Sequence, residues 1–213
     1  MSAPEISMDV ISDVICPWCW IGKRRLEKAV SAHGGPVRVR WHPFQLNPSL
    51  PQEGLSRRAY RTKKFGSWER SQTLDAQVAA VGEAEGIQFA FDRIERTPNT
   101  LDAHRLIWLA DRENVQDAVV EALFRAYFTE GGDIGHRQIL TDVVAEAGLV
   151  RSKAEALLNS DAGLEAIKDA GELARRHQVD GVPCFVMNRM TALSGAQPSE
   201  AFLKAFKQAG GSD

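Results

Sequence analysis

Two cysteines separated by two residues, in Asp13-Val14-Ile15-Cys16-Pro17-Trp18-Cys19-Trp20-Ile21-Gly22, constrain this chain more than any other stretch. The run before them, from Ile6 to Val14, contains strand formers such as Val10 and Ile11. After them Ile21, Leu26, Ala29 and Val30 fall near one helical face, while Lys23, Arg24, Arg25 and Lys28 are expected to face water. The pattern predicts a strand, a tight turn and a helix. Cys16 falls in the first turn and Pro17 at the first helical position, where a missing N–H costs nothing. Unpaired N–H groups and the macrodipole make that end of a helix partly positive, so a Cys16 thiolate is expected to be stabilised there. Cys19 lies about one turn further on the same side and is expected to be more buried and less acidic. The chemistry that fits is disulfide exchange, in which one sulfur attacks and the other resolves the mixed disulfide. A structural zinc site is the competing reading. It asks for four ligands, usually in two close pairs, and only Cys184 and five scattered histidines remain to supply them.

Composition enters as a set of limits. A chain of 213 residues can bury a sizeable core in one or two domains. Its net charge of -2 gives no general argument for binding nucleic acid or a membrane surface. No apolar run approaches the roughly 20 residues that a membrane span needs. Met1 to Glu5 carry neither a basic nor a long apolar segment, so no secretory signal is expected and a cytoplasmic location is. In a reducing compartment a close cysteine pair points to catalysis rather than to a structural bridge.

Along the chain, His33-Gly34-Gly35-Pro36 ends the first helix, and Val37 to Phe44 alternates as a strand. Strand, helix, strand implies a right-handed crossover and a parallel pair. His42 on that strand is read as a polar side chain on its other face, with a base near the dithiol as the alternative. Residues 55 to about 160 read as helices. Leu55 to Phe65 is basic, and Tyr60, Phe65 and Trp68 are interleaved with its charges, yet a solvated face fits better than a nucleic-acid patch in a slightly acidic chain. A helix is predicted from Ser67 to Glu85, followed by a brief extended crossing at Ile87, Phe89 and Phe91. Pro98-Asn99-Thr100 then starts a helix whose apolar stripe includes or borders His104, a core histidine on the simplest reading and a proton carrier facing a cleft on the other. Further helices are predicted over Val115 to Phe128 and His136 to Ala147. Ser152 and Ser160 are expected to cap a short helix and a longer one reaching about His177.

The last segment carries a second signal. Asp180-Gly181-Val182-Pro183-Cys184-Phe185-Val186-Met187 is a turn entering a buried strand. A turn at Asn188-Arg189 leads to a second strand near Thr191 to Leu193 and so to a hairpin. Ser194-Gly195-Ala196-Gln197 is a loop. Pro198 opens a final helix that Gly210 ends, and Gly211 to Asp213 are expected to fray.

Several of these pieces together resemble the thioredoxin superfamily, and within it the DsbA family with an inserted helical domain, in its FrnE-like branch. The resemblance rests on Ser12-Asp13-Val14-Ile15-Cys16-Pro17-Trp18-Cys19-Trp20-Ile21-Gly22-Lys23, on Pro43-Phe44-Gln45-Leu46-Asn47-Pro48, and on Pro98-Asn99-Thr100-Leu101-Asp102-Ala103-His104-Arg105. Gly181-Val182-Pro183 and Ser194-Gly195-Ala196-Gln197 complete it, so that it covers nearly the whole chain. It implies an α/β thioredoxin fold, with residues 1–50 and 161–213 forming the thioredoxin-like domain and 51–160 an inserted all-helical domain. Cys16 is then similar to the attacking cysteine and Cys19 to the resolving one. Val182-Pro183 looks like the family's cis-proline dipeptide, opposite the dithiol, where a substrate strand could pair. Trp18 is implied to tune the dithiol and offer apolar contact, with Trp20 in the core. Gln197 and Asn99 could line the cleft or equally act as caps.

Cys184 departs from the pattern, either as a small buried residue or as a third thiol. The implied activity is a protein-disulfide oxidoreductase acting on protein or small-molecule disulfides and thiols, glutathione among them, with no metal or organic cofactor. Neither nucleic acid nor membrane is implied as a partner, and a homodimer is allowed. The direction of exchange follows from the dithiol's potential, which ranges over roughly -270 to -120 mV in such sites. Two other classes remain open. One is a glutathione-dependent isomerase or transferase of the 2-hydroxychromene-2-carboxylate isomerase and kappa-class type, which usually has serine where Cys16 stands and lacks the paired cysteine. The other is a non-catalytic peptide-binding or chaperone module.

Overall fold

The computed structural model describes residues 5–209. In chain order it runs β1 (Ile6–Ser12), α1 (Pro17–His33), β2 (Val37–Pro43), β3 (Leu55–Ser56), α2 (Arg57–Phe65), α3 (Trp68–Ala84), a 3-10 turn at Phe91–Arg93, β4 (Arg96–Thr97), α4 (Leu101–Arg112), α5 (Gln116–Phe128), α6 (Arg137–Glu146), α7 (Arg151–Leu158), α8 (Leu164–Arg176), β5 (Cys184–Met187), β6 (Thr191–Ser194) and α9 (Ser199–Ala209). The main sheet has the order β2-β1-β5-β6. β1 and β2 are parallel, with Ile6 opposite Val37 and Ser12 opposite Pro43. β5 runs antiparallel to β1, and β6 antiparallel to β5. The expected parallel pair and C-terminal hairpin are both present. β3 and β4 form a separate two-stranded ladder.

Period-two alternation sets the two faces of the sheet. Ile6, Met8 and Val10 are buried in the core that also holds Ile21 and Leu26 of α1 and Phe202 and Phe206 of α9, while Ser7, Asp9 and Ile11 are only half covered. Register carries the same division into β5. Val10 pairs with Phe185 on the α1 face, and Ile11 pairs with Cys184 on the opposite face. That opposite face holds a small cluster of Phe44, Ala174, Val179 and Cys184, to which α8 contributes Ala174. On the α1 side the core runs on without a break into the helices that follow β2. Trp20 of α1 stacks on Phe124 and Phe128 of α5 at centroid distances of 5.9 and 6.0 Å and meets Phe89 edge-on at 5.6 Å. Trp20 is core, as expected.

Four local expectations are corrected. Lys23 does not face water: it is 2% exposed and lies between α1 and α5. Phe91 belongs to the 3-10 turn rather than to the extended crossing, and residues 87–90 join no ladder. Ala90 N–H bonds Phe128 C=O at 2.8 Å, and the Phe89 and Phe91 rings stack at 4.8 Å, so aromatic packing on α5 replaces a ladder. Ser152 lies inside α7, whose N-cap is Val150. Ser160 caps no helix either: its hydroxyl donates to Leu157 C=O at 2.9 Å, and Gly163, left-handed at φ 81°, takes the N-cap of α8. The basic stretch at 57–64 is absorbed only in part, and Arg58, Lys63 and Lys64 are exposed. Arg57 and Arg61 both bind Asp75, and their guanidiniums lie over Phe91 and Phe65. The expected helix stop at Gly210 and the fraying of Gly211 to Asp213 lie outside the described residues, as do Met1 to Pro4.

Candidate active site

β1 ends at Ser12, and three residues of turn bring the chain to Cys16, the N-cap of α1. The turn is closed by Cys16 N–H donating to Asp13 C=O at 3.0 Å, and Cys19 N–H in turn reaches Cys16 C=O at 3.0 Å. Cys16 thus sits directly before the first helical turn, and Pro17 fills the first helical position, as expected. Cys16 caps nothing with its own side chain. Its sulfur lies instead 3.5 Å from the carbonyl oxygen of Val182.

Val182 precedes Pro183 through a cis peptide bond. The segment is fixed from both sides. Gly195 N–H donates to Pro183 C=O at 2.8 Å. Across from it Gly22 of α1 approaches so closely that a Cβ there would lie 2.9 Å from Phe185 Cζ and 3.2 Å from Pro183 Cγ. Only glycine lets the first turns of α1 lie against this loop.

The two thiols are free and unequal. Cys16 is 6% exposed and Cys19 is fully buried. Burial pushes the Cys19 thiol well above its ordinary range, and Cys16 beside it adds to the rise. The Ser12 hydroxyl and the Asp13 backbone oppose that rise. Trp18 between the two cysteines is 40% exposed, so the mouth of the site carries a large apolar surface.

The remaining candidates are placed as follows. Asn99 is tied into loops: its side-chain oxygen accepts from Leu101 N–H and Gln45 Nε2, and its Nδ2 donates to Leu50 C=O at 2.7 Å. It borders a polar pocket of about 240 Å3 at the start of α4, walled also by Asp102, Arg105 and Arg137. Gln197 Nε2 donates to Ser194 C=O at 2.7 Å within its own loop. His42 Nε2 meets Asp9 Oδ1 at 2.7 Å across β1 and β2, the strand-face role. His104 is 2% exposed, with Nε2 3.2 Å from Asp13 Oδ1. Cys184 is buried on the face of the sheet opposite Phe185 and Gly22, and burial raises its thiol. Among the described residues no group of three or more His, Cys, Asp or Glu is arranged to hold a metal ion. Nor is any helix long and apolar enough to cross a membrane.

Sequence reasoning missed Asp13, Ser12 and Lys23 as parts of this corner. Asp13 is wholly buried, and its carboxylate accepts from Leu46 N–H at 2.8 Å, so it ties the β2 exit loop to the cysteine turn. An acid inside an apolar run next to two cysteines was the available signal.

A mixed sheet of this order, with a helix starting at a Cys-Pro-Trp-Cys turn against a cis-proline loop, defines the thioredoxin class of fold. The chain belongs to the DsbA-like thioredoxin domain family, whose model matches residues 7–207. It is 30% identical over 204 residues to the Bacillus subtilis protein YwbO, covering 94% of this chain and 95% of that one. Among solved structures it is similar to a probable DsbA oxidoreductase from Streptomyces coelicolor, with 31% identity, TM-score 0.88, and coverage of 96% of this chain and 89% of the other. The fold is also that of the cytosolic disulfide reductase DsbM from Pseudomonas aeruginosa solved with GSH, at 24% identity and TM-score 0.68, covering 95% of this chain and 99% of that one.

Proposed function

We propose that this protein is a thiol–disulfide oxidoreductase that reduces, forms or isomerises disulfides through a mixed disulfide on Cys16. One observation carries the reading. The Cys16 sulfur faces the Val182 carbonyl at the start of α1, with a second, fully buried thiol, Cys19, one turn behind it. In the reductive direction the Cys16 sulfur attacks a substrate disulfide, and one substrate sulfur leaves as thiolate. Cys19 then gives up its proton and attacks the Cys16 sulfur, forming Cys16–Cys19 and releasing the second substrate thiol. The substrate gains the two electrons that the dithiol loses, and the reverse sequence makes a disulfide.

Trp18 gives the incoming chain an apolar surface, and Val182-Pro183, with Gln197 on the adjoining loop, receives an extended backbone. Residues 1–50 and 161–213 form the thioredoxin-like part, and the helical insertion 51–160 backs the site through Trp20 and Asp13. The chemistry needs no metal or organic cofactor. A reducing cytoplasmic setting suits reduction or isomerisation, and the GSH in the Pseudomonas structure makes glutathione a reasonable small-thiol partner.

The test is insulin reduction by glutathione, run beside glutathione-dependent isomerisation of 2-hydroxychromene-2-carboxylate. The expected result is insulin turnover that vanishes in Cys16→Ser, with a trapped mixed disulfide in Cys19→Ser. Isomerisation without insulin turnover would replace this reading with the isomerase one. Peptide binding that survives in Cys16→Ser, with no turnover in the unaltered protein, would make the protein a binding module.

A further inference from the structure

A buried resolving thiol poses a problem that the dithiol alone does not solve. Cys19 must lose a proton before it can attack, and it does so fully buried, with burial favouring the thiol. Ser12 is buried on the same face of β1 as Val10, the face turned to α1, and its hydroxyl is among the groups that hold the rise of the Cys19 thiol down. Ser12 also opens on a cavity of about 10 Å3 between β1, β2, α4 and α5. That is close to the roughly 10–15 Å3 that one water requires. The cavity is walled by Val14, Trp41, Ile107 and Val120, and its polar side chains are Ser12, His42 and His104.

His104 is the notable member. Its Nε2 meets the Asp13 carboxylate at 3.2 Å, and with Asp13 accepting there, Nδ1 carries a lone pair. Nδ1 is buried and has no hydrogen-bond partner in the protein. A buried polar atom without a protein partner is costly, and a water of the size this cavity admits would supply one to Nδ1. An imidazole oriented on one nitrogen by a buried carboxylate and bare on the other is the arrangement of a general base.

We propose that Ser12, one cavity water and the Asp13–His104 pair form the route by which the Cys19 proton leaves during resolution. The proposal rests on the dithiol reading above. Cys19 S–H gives its proton to the Ser12 hydroxyl as Ser12 passes its own to the water. The water passes one to His104 Nδ1, and the imidazolium formed is held by Asp13. The Cys19 sulfur then attacks Cys16, the Cys16–substrate S–S bond breaks, and the departing thiolate keeps the electron pair of that bond. His104 returns its proton along the same route when the disulfide is next reduced. His104, Asp13 and Ser12 touch no substrate and are positioning residues. The other titratable groups facing this route are His42 from β2, already joined to Asp9, and Cys16, which acts on Cys19. Besides His104, α4 adds only Ile107 to the cavity wall and α5 only Val120, while Asp117 of α5 accepts from the Trp41 indole at 2.9 Å.

The test uses the whole chain and glutathione disulfide as probe, following by rapid quench the formation and decay of the Cys16–glutathione mixed disulfide from pH 5.5 to 9.5. In His104→Gln the decay at neutral pH is expected to slow by about 100-fold, within the range of a lost general base. Its formation rate is expected to hold. The gap should narrow as solvent hydroxide takes over at alkaline pH. Ser12→Ala, which leaves the Asp13–His104 pair intact, is expected to slow the same step with the same pH trend, and it serves alone if His104→Gln does not fold. A decay rate unchanged in Ser12→Ala overturns the route, as does a slowing in His104→Gln that is equal at all pH or shared by formation. Absence of any mixed disulfide in the unaltered protein would sink the dithiol reading instead.

Discussion

The first turn of α1 and the turns immediately behind it are built in opposite ways. At the mouth, Cys16 has no side-chain cap bond and a single 3.5 Å contact to Val182, and Trp18 stands 40% exposed. One turn on, almost every polar group is tied. Lys23 reaches Asp117 at 3.1 Å and Glu121 at 3.3 Å, and also pairs with Glu27. Arg24 binds Glu121 and Glu27, Trp20 Nε1 donates to Glu121, and Arg25 binds Glu85. Burial alone would lower the Lys23 ammonium's pKa, but Asp117, Glu27 and Glu121 outweigh it and the net shift is upward. The contrast teaches a division of labour. Reactive atoms are left with few partners, and the helix that carries them is anchored behind, so that a site on a rigid element keeps its geometry.

The most direct way to break this division is at its two poles. Cys16→Ser is expected to abolish disulfide turnover while moving stability by less than about 1 kcal/mol, because serine is close to cysteine in size and the sulfur's one hydrogen bond, to Val182 C=O, is one a hydroxyl can also make. Chemical denaturation beside an insulin assay measures both. A large loss of stability would mean that the mouth is structural after all.

Gly22→Ala attacks the join between the poles. The added methyl would meet Phe185 Cζ at 2.9 Å and Pro183 Cγ at 3.2 Å, and both belong to a packed loop and strand with little room to yield. Overpacking of this kind costs about 1–3 kcal/mol. Because the strain falls on Pro183, turnover should drop along with the melting temperature. A variant that lost stability and kept full turnover would show that the loop's position against α1 is not critical.

Lys23→Met tests the anchor alone. The methionine keeps the apolar stem but leaves three carboxylates facing one another. Removing one partner of a wholly buried pair costs roughly 3–5 kcal/mol, and half-exposed Glu27 and Asp117 reduce this to about 2 kcal/mol. Turnover measured well below the melting temperature should fall little.

How far this corner could be read in advance depended on what kind of fact was asked for. The strand, the helix and the hairpin were legible because apolar periodicity and glycine or proline breaks are local signals, and the cysteine spacing is itself local. Lys23 was misread because a helical pattern assigns lysine to water, whereas its burial is decided by Asp117 and Glu121 of α5. The Asp13–His104 contact joins residues 91 positions apart, and no local pattern encodes it. Ser160 looked like a helix cap, but it bonds backward to Leu157, and the choice between those two bonds depends on the glycine that follows at 163.

A smaller effect probes the helical side of α1. Tyr127 on α5 is wholly buried, and burial pushes its hydroxyl up to about 12 from an ordinary 10. The folded chain therefore holds this proton after the unfolded chain has released it. The associated stability is complete below pH 10 and is lost as pH rises towards 12. The melting temperature should fall across that window and fall less steeply in Tyr127→Phe. An identical slope in both would assign the alkaline loss to other groups.

The smallest expected effect concerns the third cysteine, and it bears on the comparison because Cys184 is as buried as Cys16 yet lies on the other side of the sheet. Its neighbour Phe185 packs against Gly22 and Phe202, so alternation turns Cys184 towards Phe44, Ala174 and Val179. Nothing in that cluster favours a thiolate, and burial raises the thiol. A sulfur in such a place behaves as a small apolar side chain. Cys184→Ser should cost about 1 kcal/mol or less, leave the insulin rate unchanged, and leave the Cys16–Cys19 potential within about 10 mV of the unaltered value, well under the roughly 30 mV of a tenfold change. A potential displaced by more than that, or a mixed disulfide trapped on Cys184 in Cys19→Ser, would mean that the sheet does not separate the third sulfur from the first two.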